Sequence, residues 1–497
     1  MRIGWYDHGF YHQSAAIPDL PAPEDTWGVY GEKSHLHSRV NVVGMEMWRI
    51  PLLHRLLDDG NDIVWLTRRK VDPSPELDDD LARLVEQYPE YARFVRPTDP
   101  CLDKDKFLIW PVRTHLNQHY FTDQKMFVDT TAPSTEMLRY WVKERVLGEP
   151  PDVDVFVCGV MRADEATAFE VSYFTGIYLE RGVPIVLWDQ DHQLSGTVSA
   201  FKRLGHDWPN PLVTVIGPYE EATSYAHPVT IDYPYVDAFE RDPLPVAEKC
   251  GAVYVGNDYG RREAMEKLLL RLADPPIRTV APATRSEIPV TVYGRYDAKD
   301  GPEWTAKFPN VNWAGRVASN QVPGLVAKGH FTVNIVKADY VKIGLLTLRT
   351  FDANVYGTLQ IADRSITRIR QYVPGEFLVD STSEAMRVAS WIMEMGDEEY
   401  ASYLEHQRSY TRKNNMDTFT ERFNEILAEA VKGRAAKKFP PLRDVGPPLQ
   451  HQPGKMCSDA DDRLPAGLYW HDDDAWSPTW KKDKEAAMAA LAEVNDE

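Results

Sequence analysis

The sequence predicts an α/β protein with two doubly wound, Rossmann-like domains that face a cleft, followed by an extended C-terminal arm. Short apolar segments alternate with helical periodicity in two separate series, which cover residues 1–238 and 250–432. A charged, proline-bearing stretch at 239–249 is typical of a linker between them. A length of 497 residues is also too great for one typical domain.

The first series opens with a βαβ pattern, which predicts a parallel sheet. "MRIGWYD" and "NDIVWLTR" are the strands, and the helix between them is "SRVNVVGMEMWRIPLLHRLLDDG". Residues 73–150 are rich in aromatic, acidic and proline residues and are predicted to form an insertion with helices. The series resumes at 152–160 with "DVDVFVCGV", a helix and the strand "VPIVLW", and "LVTVIGPY" and "HPVTIDYPYV" complete it.

The second series begins with "CGAVYVGNDYGRREAMEKLLLRLA" and continues through five further strand-like segments. This domain is predicted to end in a long amphipathic helical segment, "EEYASYLEHQRSYTRKNNMDTFTERFNEILAEAVKG". The stretch 433–497 is proline-rich and charged, so we expect an arm that packs back on the core and ends in a short helix.

Composition and charge exclude several classes of protein. Hydrophobic residues make up 43% of the chain and charged residues 26%, which is typical of a globular protein. The four cysteines are widely spaced, so neither a zinc site nor a disulfide is predicted. Without a signal-peptide pattern or an apolar run of membrane-spanning length, a cytoplasmic protein is expected. A net charge of −19 argues against nonspecific binding of polyanions but allows a local basic cleft.

Polar residues follow the apolar strand in "VPIVLWDQDHQL", residues 183–194. Ligands bind at the carboxyl ends of strands in doubly wound sheets, so we expect Asp189 to Gln193 to overlook the cleft. Asp191 and His192 are the candidate catalytic residues of this stretch. The alternatives are that Asp189 or Asp191 caps the following helix and that His192 is a hydrogen-bonded structural residue.

A candidate anion site lies in "LLTLRTFDANVYGTLQIADR", where a helix is predicted from 347 to 356. Arg349 and Thr350 lie near the helix start, where free N–H groups and the positive dipole end favour phosphate. Asp352 could accept hydrogen bonds from both hydroxyls of a ribose. The alternative is an acid that stabilises the first turns of a helix and nothing more.

Two further turns carry glycine and arginine after a strand. "VYVGNDYGRREA" contains Gly256, Asn257 and Arg261, and "VYGRY" contains Gly294 and Arg295. A guanidinium at such a turn suits bidentate contact with phosphate or a base, whereas the alternative is a solvated surface charge. Neither G-x-G-x-x-G nor G-x-x-x-x-G-K occurs, which excludes the common dinucleotide and P-loop patterns.

The order "YVGN…RRE", "VYGR", "TLRTFDANVYGT" and "FTERFNEIL" resembles the donor-binding half of GT-B glycosyltransferases, and is most similar to the spore-maturation (CgeB-like) group and its retaining relatives. The resemblance covers about residues 250–430. It implies a nucleotide-sugar donor, with a UDP-sugar favoured, no further cofactor, and Asp352 as the acid that holds the ribose. Many relatives have the longer glutamate at that position.

A narrower resemblance concerns "IVLWDQDHQL", which is similar to the DNA alpha-glucosyltransferase of T-even bacteriophages. An apolar strand ends in an aromatic residue there too, and an Asp-His pair follows after two residues, which correspond to Trp188, Asp191 and His192. The upstream "DEATAFEVSYF" is also similar. The resemblance implies a hydroxymethylated base in phage DNA as acceptor, and the host cytoplasm as location if the chain is phage-encoded.

The residue types suit sugar transfer. A departing diphosphate needs positive charge, which Arg261, Arg349, helix N-termini and, as a further candidate, Lys342 could supply without a metal. In a retaining enzyme of this family the resemblance implies front-face substitution, with Asp191 or His192 orienting the acceptor, stabilising oxocarbenium charge or acting as general base.

Asp7, His8 and Gly9 follow the first strand and are candidates for the acceptor side. No metal site is predicted, since the pair His35 and His37 lacks further ligands at matching spacing.

Three hypotheses for function follow from these patterns. The first is a glycosyltransferase that acts on modified DNA, supported by basic spots at 67–70, 201–203 and 435–438 and opposed by the acidic net charge. The second keeps the donor half but has a protein or small-molecule acceptor. The third is a non-catalytic binding module of GT-B fold, against which the set Arg349, Asp352 and Gly357 argues.

Overall fold

The computed structural model describes two parallel β-sheets with helices packed against them. The described residues are 1–6, 48–67, 107–111, 150–160, 165–190, 192, 194–203, 205–220, 228–237, 240–274, 288–294, 296, 301–315, 317, 322–435 and 437–440.

The N-terminal sheet has seven strands in the order β3-β2-β1-β4-β5-β6-β7, all paired in parallel. Its elements are β1 (Arg2–Tyr6), α1 (Arg49–Asp58), β2 (Asp62–Thr67), β3 (Phe107–Pro111), β4 (Val155–Val160), α2 (Glu165–Glu180), β5 (Ile185–Asp189), α3 (Leu194–Arg203), β6 (Val213–Gly217) and β7 (Val229–Thr230). The strand order reverses between β1 and β4, as it does at the binding crevice of doubly wound folds.

The C-terminal sheet has six strands in the order β10-β9-β8-β11-β12-β13. Its elements are β8 (Cys250–Val255), α4 (Arg262–Met265), a π-helical turn (Glu266–Leu270), α5 (Arg271–Ala273), β9 (Val290–Tyr293), α6 (Gly301–Thr305), β10 (Asn312–Gly315), α7 (Val322–Ala327), β11 (Gly329–Asn334), α8 (Ala338–Lys342), α9 (Arg349–Val355), β12 (Leu359–Asp363), β13 (Leu378–Val379), α10 (Thr382–Met393), α11 (Asp397–Thr411) and α12 (Met416–Val431). Short 3₁₀ turns occupy Val246–Glu248, Ile369–Gln371, Gly375–Phe377 and Arg412–Asn414. The strand orders of the two sheets confirm the predicted pair of doubly wound, Rossmann-like domains.

The central strands are buried and mostly apolar because helices cover both faces of a parallel sheet. Every residue of β4, β5 and β11 is buried. Continuous apolar runs therefore mark the middle of each sheet, and polar residues become informative where these runs end.

Two segments differ from the sequence prediction. β3 lies within 73–150 and pairs with β2, so part of the expected insertion supplies a strand to the N-terminal sheet. The amphipathic segment predicted at 398–433 is two helices, because Asn415 has an extended backbone and its side chain caps α12 by accepting the Thr418 N–H at 3.0 Å.

The last helix, α12, joins the two domains. Its Phe423 stacks on Trp188 of β5 with ring centroids 5.4 Å apart and lies 5.5 Å from Trp5 of β1. Phe419, one turn earlier, lies 5.7 Å from Trp48. The sequence assigns α12 to the C-terminal domain, whereas its apolar face packs on the N-terminal sheet and holds the domains together.

The chain after α12 runs along the N-terminal domain. Arg434 donates a hydrogen bond to the carbonyl of Gly182, and the Arg2 guanidinium lies 4.6 Å from the ring of Phe439 and bonds the carbonyl of Pro440. Arg2 begins β1, so this segment crosses the amino ends of the strands, on the side of the sheet opposite the cleft. Residues 441–497 lie outside the described residues.

None of the described helices combines the length and apolar character needed to cross a membrane.

We expect Phe423→Ala to lower the free energy of unfolding by about 3–5 kcal/mol, because it removes a fully buried ring from the aromatic contact between the domains. Chemical denaturation followed by tryptophan fluorescence measures the loss. Glu421→Ala, at an exposed position of the same helix, is the matched control and should leave stability nearly unchanged. Equal losses in the two variants would contradict this account of α12.

Candidate functional site

The candidate donor side is built at the point where β8 and β9 end. Gly256 follows β8 with a φ of +156°, and a Cβ there would lie 2.6 Å from Nη2 of Arg349. A Cβ at Gly294 would lie 2.1 Å from the Gly256 carbonyl oxygen, which also accepts the Tyr296 hydroxyl at 2.5 Å. Glycine is therefore required at Gly294 for the two turns to approach each other, and at Gly256 for the positive φ and the position of Arg349.

Arg349, the first residue of α9, lies across the carboxyl ends of two neighbouring strands. Its Nη2 donates to the Val255 carbonyl at 2.9 Å and its Nη1 to the Ile335 carbonyl at 3.4 Å. The guanidinium stacks over the Tyr254 ring at 4.9 Å. Burial lowers the pKa of Arg349, and the nearby Arg261 lowers it further. The cation thus lies at the C-terminal switch point, between β8 and β11.

Arg261 and Lys337 extend this positive region. Arg261 donates to the Asn257 carbonyl at 3.0 Å, and its buried Nε has no hydrogen-bond partner among the described residues. A Cβ at Gly260 would lie 3.8 Å from Lys337, whose Nζ donates to the Tyr340 hydroxyl at 3.1 Å. Among the described residues, no carboxylate forms an ion pair with Arg261, Arg349 or Lys337.

Other buried polar atoms near these cations also lack partners in the described part of the chain. They are the Tyr254 hydroxyl, beneath the Arg349 guanidinium, and the Thr347 hydroxyl, two residues before Arg349. An unsatisfied buried polar atom costs about 1–3 kcal/mol, so a set of them around unpaired cations indicates room for a polar ligand.

Asp352 lies one turn along α9 from Arg349. Its carboxyl group is half-buried and has no hydrogen bond or ion pair within the described residues. Burial raises its pKa to about 8, against the opposing effect of Arg349. A desolvated acid without a partner can accept hydrogen bonds from vicinal hydroxyls.

Two predicted donor residues lie elsewhere. Thr350 is fully buried and its hydroxyl accepts a hydrogen bond from Nδ2 of Asn334 at 3.0 Å, so it ties α9 to β11 instead of facing a ligand. Lys342 is exposed at the end of α8 and pairs with Asp339 at 3.1 Å, whereas Lys337 lies beside the Gly260 turn. Arg295 lies outside the described residues.

On the opposite domain, Asp189 does not overlook the cleft. It is fully buried, and its Oδ2 accepts the Leu194 N–H at 3.3 Å and the Tyr219 hydroxyl at 2.8 Å. The expectation for this residue is wrong and its alternative is confirmed: Asp189 caps α3. Gln190 is buried as well, which corrects the same expectation for its side chain.

His192 is exposed at the carboxyl end of β5, where a ligand of the cleft could reach it. Its φ of +55° is the only positive value among the described residues other than glycine. The imidazole meets the Tyr219 ring edge-on at 5.5 Å. Asp191 lies outside the described residues, as do Asp7, His8 and Gly9, which follow β1.

The two domains meet beside these sites. The Leu346 N–H donates to the Pro218 carbonyl at 3.0 Å, and the Glu220 N–H donates to the Ile343 carbonyl at 3.3 Å. A buried pair between Arg368 and Asp232, 2.8 Å from Nη1 to Oδ1, lies at the same junction. The strand ends of the two sheets therefore face each other across a short span.

Sequence reasoning missed three residues of this arrangement. Lys337 resembles any surface lysine in sequence, and Tyr254 and Tyr219 resemble ordinary core tyrosines. Their positions at strand ends were the available indication. No group of three or more His, Cys, Asp or Glu side chains that could hold a metal occurs among the described residues.

No protein-family model and no curated protein matches this sequence. Among solved structures, the chain is similar to the DNA-modifying enzyme β-glucosyltransferase at 10% identity and a TM-score of 0.45, over 87% of this chain and 100% of that one. It is also similar to the α,α-trehalose-6-phosphate synthase of Burkholderia multivorans, at 10% identity and a TM-score of 0.46 over 87% and 99% of the two chains. The Escherichia coli enzyme bound with UDP-2-fluoro glucose gives 10% identity and a TM-score of 0.44 over 86% and 99%. The fold assignment depends on the observed strand order of the two sheets and not on these distant likenesses.

Proposed function

We propose that this protein is a glycosyltransferase that moves a hexose from a nucleotide-sugar donor, a UDP-sugar, to a hydroxyl acceptor across the interdomain cleft. The observation that carries the proposal is that cations without a carboxylate partner lie close to an acid that also lacks a partner among the described residues. Arg261 and Arg349 have no described carboxylate partner, and Asp352 lies one helical turn away without one.

The charge balance of the chain strengthens this point. With 75 acidic and 56 basic residues, a cation has many carboxylates available to it. Three neighbouring, half-buried cations without one favour a ligand that brings negative charge. A diphosphate supplies it between Arg261, Arg349 and Lys337, and the ribose of the same molecule then reaches Asp352.

In this proposal the cations stabilise the leaving diphosphate and no metal is needed. His192 and Asp191 belong to the acceptor side, where they orient the hydroxyl or take its proton. The backbone of His192 supports this role, because its positive φ is strained and such strain is retained mainly at functional positions. The residue is also exposed at the carboxyl end of β5. Retention of configuration follows from the family resemblance alone.

The favoured acceptor is a hydroxymethylated base in DNA, and one of the three basic spots supports it. The spot 67–70 begins at Thr67, the last residue of β2, whose carboxyl end lies at the cleft edge, and its other residues lie outside the described residues. Lys437 and Lys438 precede Phe439, whose ring lies 4.6 Å from the Arg2 guanidinium at the opposite edge, and 201–203 end a helix that starts at the cleft edge and runs away from it. DNA contact would therefore depend on the loops that follow β1 and β2.

The acceptor is identified by a screen. The purified protein is incubated with UDP- and GDP-sugars and with DNA carrying hydroxymethylcytosine or hydroxymethyluracil, plain DNA or host-lysate protein. We expect mass spectrometry to find a hexose on modified DNA only. Sugar on protein or on a small molecule would retain the transferase and replace the acceptor. Donor binding with no transfer or hydrolysis would favour a non-catalytic binding module.

We expect Asp352→Asn to weaken UDP-sugar binding because an amide replaces one of the two acceptor oxygens offered to the ribose. Calorimetric titration should show a dissociation constant raised at least about ten-fold, as for the loss of a charged hydrogen bond. Asp339→Asn, which removes an exposed acid on α8, is the control and should bind like the wild type. Unchanged affinity in Asp352→Asn would remove the ribose assignment.

The same contact predicts a pH dependence of donor binding. The pKa of Asp352 is raised to about 8 by burial, so its carboxylate becomes more populated as pH rises through that value. If the ribose binds the carboxylate, affinity should increase about ten-fold from pH 7 to pH 9. Asp352→Asn should flatten the profile, and an unchanged slope in that variant would assign the dependence to another group.

We expect Asp191→Asn to lower kcat by about 100-fold or more while the donor dissociation constant stays constant, as for loss of a general base or an acceptor-orienting carboxylate. Steady-state transfer kinetics and calorimetry on the same preparation separate the two quantities. Full turnover in the variant would exclude Asp191 from the chemistry.

A further inference from the structure

Tyr219 is a buried residue that no motif in the sequence singles out. It follows β6, and its hydroxyl donates to Oδ2 of Asp189 at 2.8 Å. The same oxygen accepts the Leu194 N–H at 3.3 Å. One carboxylate oxygen therefore joins the end of β5, the start of α3 and the Tyr219 side chain.

The loop closed by the Asp189–Leu194 bond contains His192. The imidazole meets the Tyr219 ring at 5.5 Å with an interplanar angle of 82°. The left-handed backbone of His192, a non-glycine residue, is strained and persists only where surrounding contacts hold it. The contacts described here are the aspartate cap and the tyrosine ring.

The Tyr219 ring has little freedom to move. A Cβ at Gly217 would lie 2.4 Å from Cε1 of this ring and 2.6 Å from the Asp189 carbonyl oxygen. The Thr230 hydroxyl donates to the Tyr219 carbonyl at 3.0 Å. The ring is thus confined between the Gly217 backbone and His192.

The backbone on either side of Tyr219 is bonded to the other domain. The Pro218 carbonyl accepts the Leu346 N–H, and the Glu220 N–H donates to the Ile343 carbonyl. This C-terminal loop ends three residues before Arg349. Tyr219 is therefore attached to the donor side through its neighbours and to the acceptor side through its side chain.

We infer that Tyr219 is a positioning residue that sets His192 against the donor site by bridging the Asp189 cap and the 343–346 loop. The inference deepens the proposed function and depends on it for the role of His192. A tyrosine that only fills the core would affect stability, whereas a positioning residue also affects turnover through His192.

The test is a double-mutant cycle that combines Tyr219→Phe with His192→Ala. The Tyr219→Phe substitution keeps the aromatic ring and removes the hydroxyl. In the wild-type background we expect Tyr219→Phe to lower kcat for transfer about 10- to 100-fold, as for a misplaced catalytic group, and to leave the donor dissociation constant unchanged. In the His192→Ala background, Tyr219→Phe should have almost no further effect on kcat, because the two residues act as a unit.

Tyr178→Phe is the matched control. Tyr178 is also fully buried in the N-terminal domain, and its hydroxyl donates to the Pro151 carbonyl at 3.0 Å, near the amino ends of the strands. It should lose stability as Tyr219→Phe does while keeping kcat. An unchanged kcat in Tyr219→Phe, or an equal loss with and without His192, overturns the inference.

A second measurement separates this inference from the proposed function. NMR spectra of imidazole-labelled protein, with the His192 signal assigned from His192→Ala, should show that signal shifted or broadened in Tyr219→Phe and unchanged in Tyr178→Phe. This readout needs no turnover. An unaltered His192 signal in Tyr219→Phe excludes the positioning role, whereas failure of the wild type to bind UDP-glucose contradicts the proposed function alone.

Discussion

The donor side of the cleft depends on the position of one guanidinium. Arg349 bonds the carbonyl groups that end β8 and β11, and it fits there because Gly256 has no side chain. These two strands are the neighbours at which the C-terminal sheet reverses its order. The carbonyls that would repel an anion are occupied by the cation. The switch point of this doubly wound sheet thus presents a cation where carbonyl oxygens would otherwise face the cleft.

The parts of this arrangement that local chemistry determines could be predicted from sequence. Alternating apolar runs predict the two sheets, and a glycine or a helix start after a strand predicts Gly256, Arg261 and Arg349. Thr350 shows where such reasoning fails, because adjacent helical residues point about 100° apart. Arg349 and Asp352, three apart, share a face, whereas Thr350 points into the core. Tyr219 and Lys337 reach the candidate site only through tertiary contact, which spacing in one sequence does not encode.

Asp352 lowers the stability of the folded protein for the sake of the candidate site. A carboxyl group desolvated far enough to raise its pKa to about 8 destabilises the folded state whenever it is ionised. A neutral amide of the same size would avoid that cost. Retaining the acid is understandable if a ligand supplies the missing hydrogen-bond donors, since functional sites are commonly less stable than the fold allows. The half-exposed position of Asp352 permits a ligand to do so.

The contacts that join the two halves of the candidate site differ in how close they lie to the reacting groups. The aromatic contact of α12 holds the domains together at a distance from the reacting groups, whereas Arg368 pairs with Asp232 and also donates to the Pro218 carbonyl at 3.4 Å, beside Tyr219. Only the bonds between 218–220 and 343–346 connect the acceptor-side loop directly to the approach to Arg349 within the described chain. A small shift of one domain would therefore reach His192 through Tyr219 sooner than through the core.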